Sequence, residues 1–193
     1  MELISEITEK VLGIESEHAE KVRYDLRKAA RIILFNVEGK IAVLHVKNSN
    51  YHKLPGGGVE LGEDIETALK REVIEEVGAN ASIAGEIGIT IEYRDQQHLL
   101  QLSYCYYGFV EGEIFLPSFT EKEKDDGFSL LWMNPQTAIE ALKNDKPSNY
   151  SGRFIHYRDM SILLKAEQLT KRILTDYKEK FKKWLNEKVK STL

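Results

Sequence analysis

Residues 54–79 read LPGGGVELGEDIETALKREVIEEVGA, a proline and three glycines followed at once by a run of good helix formers. Asp64 stands at the expected N-cap, Ile65 to Val77 carry the helix, and Gly78 is its stop. Helical spacing of three and four residues places Glu72, Glu75 and Glu76 within about a third of the helix circumference. A helix chosen for stability alone would carry lysine four residues after Glu72. Here position 76 is another glutamate, and each like-charge pair at this spacing costs about 0.2 to 0.5 kcal/mol. Relief of that repulsion leads to the expectation that Glu76→Gln is at least as stable as the parent chain without metal. The patch lies on the side of Ile65, Ala68 and Leu69 and borders Val73, so it sits at the rim of the packed face. Clustered, partly shielded acids need a counter-charge, and hard cations such as Mg2+ prefer oxygen ligands. Gly56, Gly57 and Gly58 let backbone approach an ion or a phosphate closely. Metal beside a phosphate-accessible loop points to attack by activated water on a phosphoanhydride.

Working outward, ARIILFN and KIAVLHV are β-rich runs joined by Val37-Glu38-Gly39, a predicted hairpin. Residues 82–92 and 98–110 are strand candidates, 111–127 an acidic loop, FSLLWM a strand and PQTAIEALKN a helix with proline in its first turn. Leu3, Ile4, Ile7, Val11 and Leu12 are spaced for a short N-terminal helix ended by Gly13. After a break at Asp145 to Gly152, the chain from about 153 to 193 reads as a helical extension. Ile162, Ala166, Leu169, Ile173, Tyr177, Phe181 and Trp184 form its apolar stripe. From Lys165 onward nine basic residues face four acidic ones, interleaved as on a solvated helix face, although a basic arm for a polyanion is the alternative.

The 193 residues suit one domain and carry 27 Lys plus Arg against 31 Asp plus Glu. The net charge of −4 argues against coating of nucleic acid. A single cysteine, Cys105, offers no internal disulfide, and no apolar run reaches the length of a membrane span. The opening MELISEITEK lacks the pattern of a secretory signal, so a cytoplasmic location is expected and the tripeptides at Asn80 and Asn149 are chance glycosylation matches.

Gly57, Glu63, Arg71, Glu72, Val73, Glu75, Glu76, Gly78 and Ala79 resemble the box G-x5-E-x7-R-E-U-x-E-E-x-G-U of the Nudix hydrolases, U being a bulky aliphatic residue. Ala79, smaller than usual, is the single departure. The resemblance implies an α/β fold, the Nudix α/β/α sandwich with a mixed sheet and a core at about 24–145, here with an N-terminal helix and a C-terminal helical extension. It implies that the Gly56 carbonyl, Glu72, Glu75 and Glu76 hold Mg2+ or Mn2+, with Arg71 orienting the carboxylates. Glu63 would act through a water or pair with Arg71. A further carboxylate from outside the box often serves as ligand or base, and of Glu121, Glu123, Asp125 and Asp126 we favour Glu123.

The same resemblance implies a small-molecule nucleotide as partner: a nucleoside diphosphate linked to another moiety, or a nucleoside triphosphate. No membrane partner is expected, and a homodimer stays open. The SQPWPFP-like array of the NADH-cleaving subgroup is absent, and Tyr93 and Arg94 stand where the ADP-ribose subgroup has its proline. A tyrosine there is similar to the dinucleoside polyphosphate subgroup. Lys53, Arg94, His98 and Arg153 are candidate contacts to phosphate or base, and His52 and His156 are spare candidate bases. Alternatives are a 5′-end RNA pyrophosphohydrolase and a non-catalytic nucleotide sensor. Sensors of that kind commonly lose box carboxylates, and this chain keeps them all.

Overall fold

The structure, a computed structural model, describes residues 1–15 and 22–167. Its centre is a seven-stranded mixed sheet of β1 (Leu3–Ile7), β2 (Asp25–Phe35), β3 (Ile41–Val46), β4 (Tyr51–Lys53), β5 (Asn80–Arg94), β6 (Leu99–Glu111) and β7 (Phe128–Met133). The strand order is β1-β5-β6-β2-β3-β4, with β7 on β3. Helix α1 (Ile65–Val77) lies on one face, while α3 (Pro135–Asn144) and the helical segment 150–167 lie on the other. A short α2 (Glu121–Asp125) precedes β7.

Strand β2 is buried from Ala29 to Phe35 because it is covered on both faces. Ala30, Ile32 and Leu34 pack with Leu69, Val73 and Val77 of α1. Ile33 and Phe35 pack with Ile139 and Leu142 of α3 and with Ile162, Leu163 and Ala166. Each large apolar side chain enclosed in this way contributes about 1.5 to 3 kcal/mol. These layers make the α/β/α sandwich.

The β2–β3 hairpin forms, but its ladder holds only the pair Phe35 with Ile41. Beyond that pair the glycine loop takes the edge of β2. Ala30 and Ile32 donate their backbone N–H groups to the carbonyls of Gly57 and Pro55, and Val59 donates to Lys28. Strand β3 pairs instead with β4 and β7, while β2 runs parallel to β6. The loop is thereby part of the sheet, a consequence that hydrophobic alternation does not show.

The expected N-terminal helix is corrected. Residues Leu3–Ile7 form an edge strand parallel to β5, and the helical spacing is realised only in hydrogen-bonded turns from Thr8 to Gly13. A helix of so few residues is marginal in water, whereas the open edge of β5 supplies a ladder and encloses Ile7 completely. In the expected C-terminal extension, helix begins at 150, and Ile162 and Ala166 of the stripe are buried. Leu169, Ile173, Tyr177, Phe181, Trp184 and most of the lysine-rich stretch lie outside the described residues. Among the described residues no helix is long and apolar enough to cross a membrane.

Candidate active site

Helix α1 starts where Asp64 accepts the N–H of Thr67 at 2.7 Å and ends at Gly78, whose φ is +71°. It presents the three glutamates to the glycine loop at different depths. Glu76 is enclosed, with 1% of its side chain exposed, Glu72 is at 13%, and Glu75 is open at 41%. The loop is shaped around them. Gly56 has φ of +129°, and a Cβ there would lie 2.1 Å from the Ala30 carbonyl oxygen. A Cβ on Gly57 would stand 2.1 Å from Glu72 Oε1, so only hydrogen at that position leaves room for the carboxylate.

Arg71 is the hub of the exposed half. Its Nε and Nη2 grip both oxygens of Glu63 at 2.8 and 3.0 Å, and Nη2 also reaches the Gly58 carbonyl at 3.0 Å. Nη1 donates to Glu72 at 2.9 Å and to Glu75 at 3.2 Å. The two-pronged contact holds the Glu63 carboxyl far below the usual range, at about 2. One guanidinium among three carboxylates leaves an excess of two negative charges.

The enclosed half turns on Glu76. Its Oε1 accepts from Lys53 Nζ at 2.6 Å and its Oε2 from the Gly56 N–H at 2.7 Å. Burial pushes its carboxyl up, and Lys53 opposes that shift. The expectation that Glu76→Gln would leave stability equal or improved therefore does not hold. Repulsion from Glu72 is a lesser influence than the Lys53 pair, which the substitution would break. The residues before the loop are also fastened. The His52 N–H donates to Asp145 at 2.6 Å, and the Leu54 N–H donates to buried Asp159 at 2.8 Å.

Among the described residues no three acidic, histidine or cysteine side chains converge into a ready metal cage. The donor set nevertheless fits a hard divalent cation. It offers oxygen donors, carries an excess of two negative charges around Arg71, and keeps Glu75 accessible.

A cavity of about 630 Å3 adjoins the loop. It brings together Lys53, Arg94 and Glu123 of the sequence candidates, with Tyr51, Phe128 and Arg27. Lys53 Nζ lies 5.2 Å from the centre of the Phe128 ring. Glu123 caps α2: its Oε2 accepts the N–H and the hydroxyl of Thr120, both at 2.8 Å. His98 and Arg153 are not on the cavity wall. His98 occupies a left-handed turn with φ of +49°, and Arg153 faces the Leu12 carbonyl at 3.4 Å beside a separate cavity. The spare bases are engaged too, His52 with Asp145 at 2.8 Å and His156 with the Leu142 carbonyl at 2.7 Å. Sequence reasoning passed over Arg27 and the buried set Arg31, Glu92, Arg158 and Asp159. The alternation of Arg27 and Arg31 with Ala29 and Ile33 along a strand is a signal for the first two.

The NUDIX domain family profile matches residues 25–153. An RNA pyrophosphohydrolase of Wolbachia pipientis subsp. Culex pipiens (strain wPip) is 32% identical over 106 residues, covering 52% of this chain and 64% of that protein. Diphosphoinositol polyphosphate phosphohydrolase 3-alpha of Mus musculus is 30% identical over 124 residues, covering 63% and 72%. The chain thus spans about two thirds of the length of these curated relatives. A MutT protein from Methanosarcina mazei Go1 shares the fold, with a TM-score of 0.50 at 16% identity, over 72% of this chain and 95% of that one.

Proposed function

Because the chain belongs to the Nudix family, we propose that it hydrolyses a phosphoanhydride bond in a nucleoside triphosphate or in a nucleoside diphosphate linked to another moiety. The observation that carries this reading is the complete box, folded so that Glu72 abuts Gly57, Glu76 accepts the Gly56 N–H and Glu75 shares Arg71 with Glu72. The Gly56 carbonyl and these three carboxylates would hold Mg2+ or Mn2+. When bound, the cation lowers the pKa of water and neutralises charge building on the phosphates.

The chain's own residues do the rest. Arg71 fixes Glu72 and Glu75 from the side through charge-assisted hydrogen bonds and keeps Glu63 ionised. Glu76 ties helix to loop by way of the Gly56 N–H. Glu123 Oε1, which takes no part in the Thr120 bonds, can accept a proton from the attacking water. Lys53 and Arg94 meet the anionic substrate at the cavity wall. Hydrolysis at the 5′-triphosphate end of RNA is the second reading, favoured by the similarity to the Wolbachia protein.

The test is a panel of nucleoside triphosphates, nucleotide sugars and dinucleoside polyphosphates with Mg2+ or Mn2+, read by chromatography of mononucleotide and phosphate products. Simple phosphomonoesters serve as the control expected to survive.

A further inference from the structure

The two sides of the glycine loop carry opposite excess charge. Around Arg71 the excess is negative, as described. On the cavity side Arg27, Arg31, Lys53, Arg94 and Arg158 face Glu76, Glu92 and Asp159, and the rim adds Lys122 against Glu123 and Asp126, six cations for five anions. Enclosed charge is costly unless a counter-charge completes it. Arg158 with Asp159, Arg94 with Glu92 and Lys53 with Glu76 are paired, so among the described residues Arg31 and Arg27 of β2 are left without a carboxylate in ion-pair contact. Arg31 is enclosed and donates to the Ala30 carbonyl, out of a ligand's reach.

Arg27 is different. It is accessible, lines the cavity, and among the described residues has no carboxylate in ion-pair contact; its hydrogen bond goes to the Gln101 side chain at 3.4 Å. Its guanidinium rests on the loop, since a Cβ at Gly58 would lie 2.7 Å from Nη2, one residue from the point where Gly57 faces Glu72. Arg94 lines the same cavity with only 5% of its surface exposed, and its buried Nε has no hydrogen-bond partner among the described residues. Burial first, then the neighbouring Arg94 and Arg158, lower the pKa of Arg27, and Glu72 and Glu92 oppose that shift.

We propose that Arg27, supported by Arg94, binds a phosphate group of the substrate next to the anhydride under attack, so that the chain selects three or more consecutive phosphates over a diphosphate capped by a neutral sugar. Guanidinium groups match phosphate oxygens in a two-pronged geometry, which water or a ribose hydroxyl cannot replace. This deepens the hydrolase reading and rests on it for the location of the anhydride.

The experiment compares the full chain with Arg27→Gln and Arg27→Lys in Mg2+. It measures turnover of ATP and ADP-ribose, and calorimetric binding of a methylene-bridged, non-hydrolysable triphosphate analogue. The expected result is a preference for ATP in the parent chain. In Arg27→Gln, KM for ATP and Kd for the analogue should rise about tenfold or more, the loss expected for one charged contact, with kcat and the ADP-ribose reaction little changed. Arg27→Lys should lie between. Equal effects on both substrates, or unchanged analogue binding, overturn the phosphate site. Arg27-dependent binding of the analogue without turnover of any substrate supports the site and removes the hydrolase reading.

Discussion

Lys53 and Glu76 form a closed pair, Nζ to Oε1 at 2.6 Å, with 11% and 1% of their side chains exposed. The pair links β4 to the last turn of α1, so one glutamate serves both the proposed chemistry and the fold. Glu76→Gln keeps an acceptor for the Gly56 N–H but leaves the Lys53 ammonium without its partner. We expect turnover to fall by about 10² to 10³. Metal-free stability should fall by about 1 to 3 kcal/mol, measured by urea unfolding. Lys53→Met combined with Glu76→Gln should regain part of that loss without regaining turnover.

Gly56→Ala and Gly57→Ala should separate stability from activity. The added methyl at position 56 meets the Ala30 backbone at a left-handed φ, so it destabilises the protein. At position 57 the nearest atoms it meets are the end of the Glu72 side chain, which can swing away. We expect Gly57→Ala to melt within a few degrees of the parent but to lose most of its turnover, and Gly56→Ala to melt much lower. Thermal scans beside initial rates check both.

The Glu63 contact gives a pH dependence with a definite sign. Its carboxyl is held at about 2 in the folded chain against an ordinary 4.5, chiefly by Arg71. The stabilisation is present above the unfolded value and is lost as pH falls from 4.5 towards 2. Glu63→Gln should flatten this part of the acid limb of the urea midpoint. The side chain is near the surface, so the change is a modest one superimposed on other carboxylates.

Much of this site could be read from local spacing. The helix Ile65–Val77, its Asp64 cap and its Gly78 stop lie where the sequence puts them, as do β7 and α3. What escaped local reading depends on partners distant in the chain. Leu3, Ile4 and Ile7 suit a helix or a strand equally, and the edge of β5 that decides between them is some 85 residues away. The glycine loop pairs with β2 because Gly56 carries no Cβ to meet the Ala30 carbonyl, which alternation does not encode. The charge imbalance around Arg27 needs Arg158 and Asp159 from a helix more than a hundred residues later.

Mg2+ should stabilise the native chain, because the box carboxylates form one patch only when loop and helix are assembled. Mass action gives about 2.7 kcal/mol at a metal concentration a hundredfold above Kd. A rise in melting temperature across an Mg2+ titration, weakened in Glu75→Gln, is the expected outcome. The accessible Glu75 makes that variant a clean comparison, since it gives up one contact to Arg71 and no buried pair.

The most direct test of the central claim is turnover of a nucleoside triphosphate in isotopically labelled water with Mg2+, comparing the parent chain with Glu75→Gln. The expected result is a shortened nucleotide, label in a single phosphate product, strict dependence on the metal, and a rate lower by about 10² to 10³ in the variant. Metal-independent cleavage, or equal rates in parent and variant at saturating Mg2+, would contradict it.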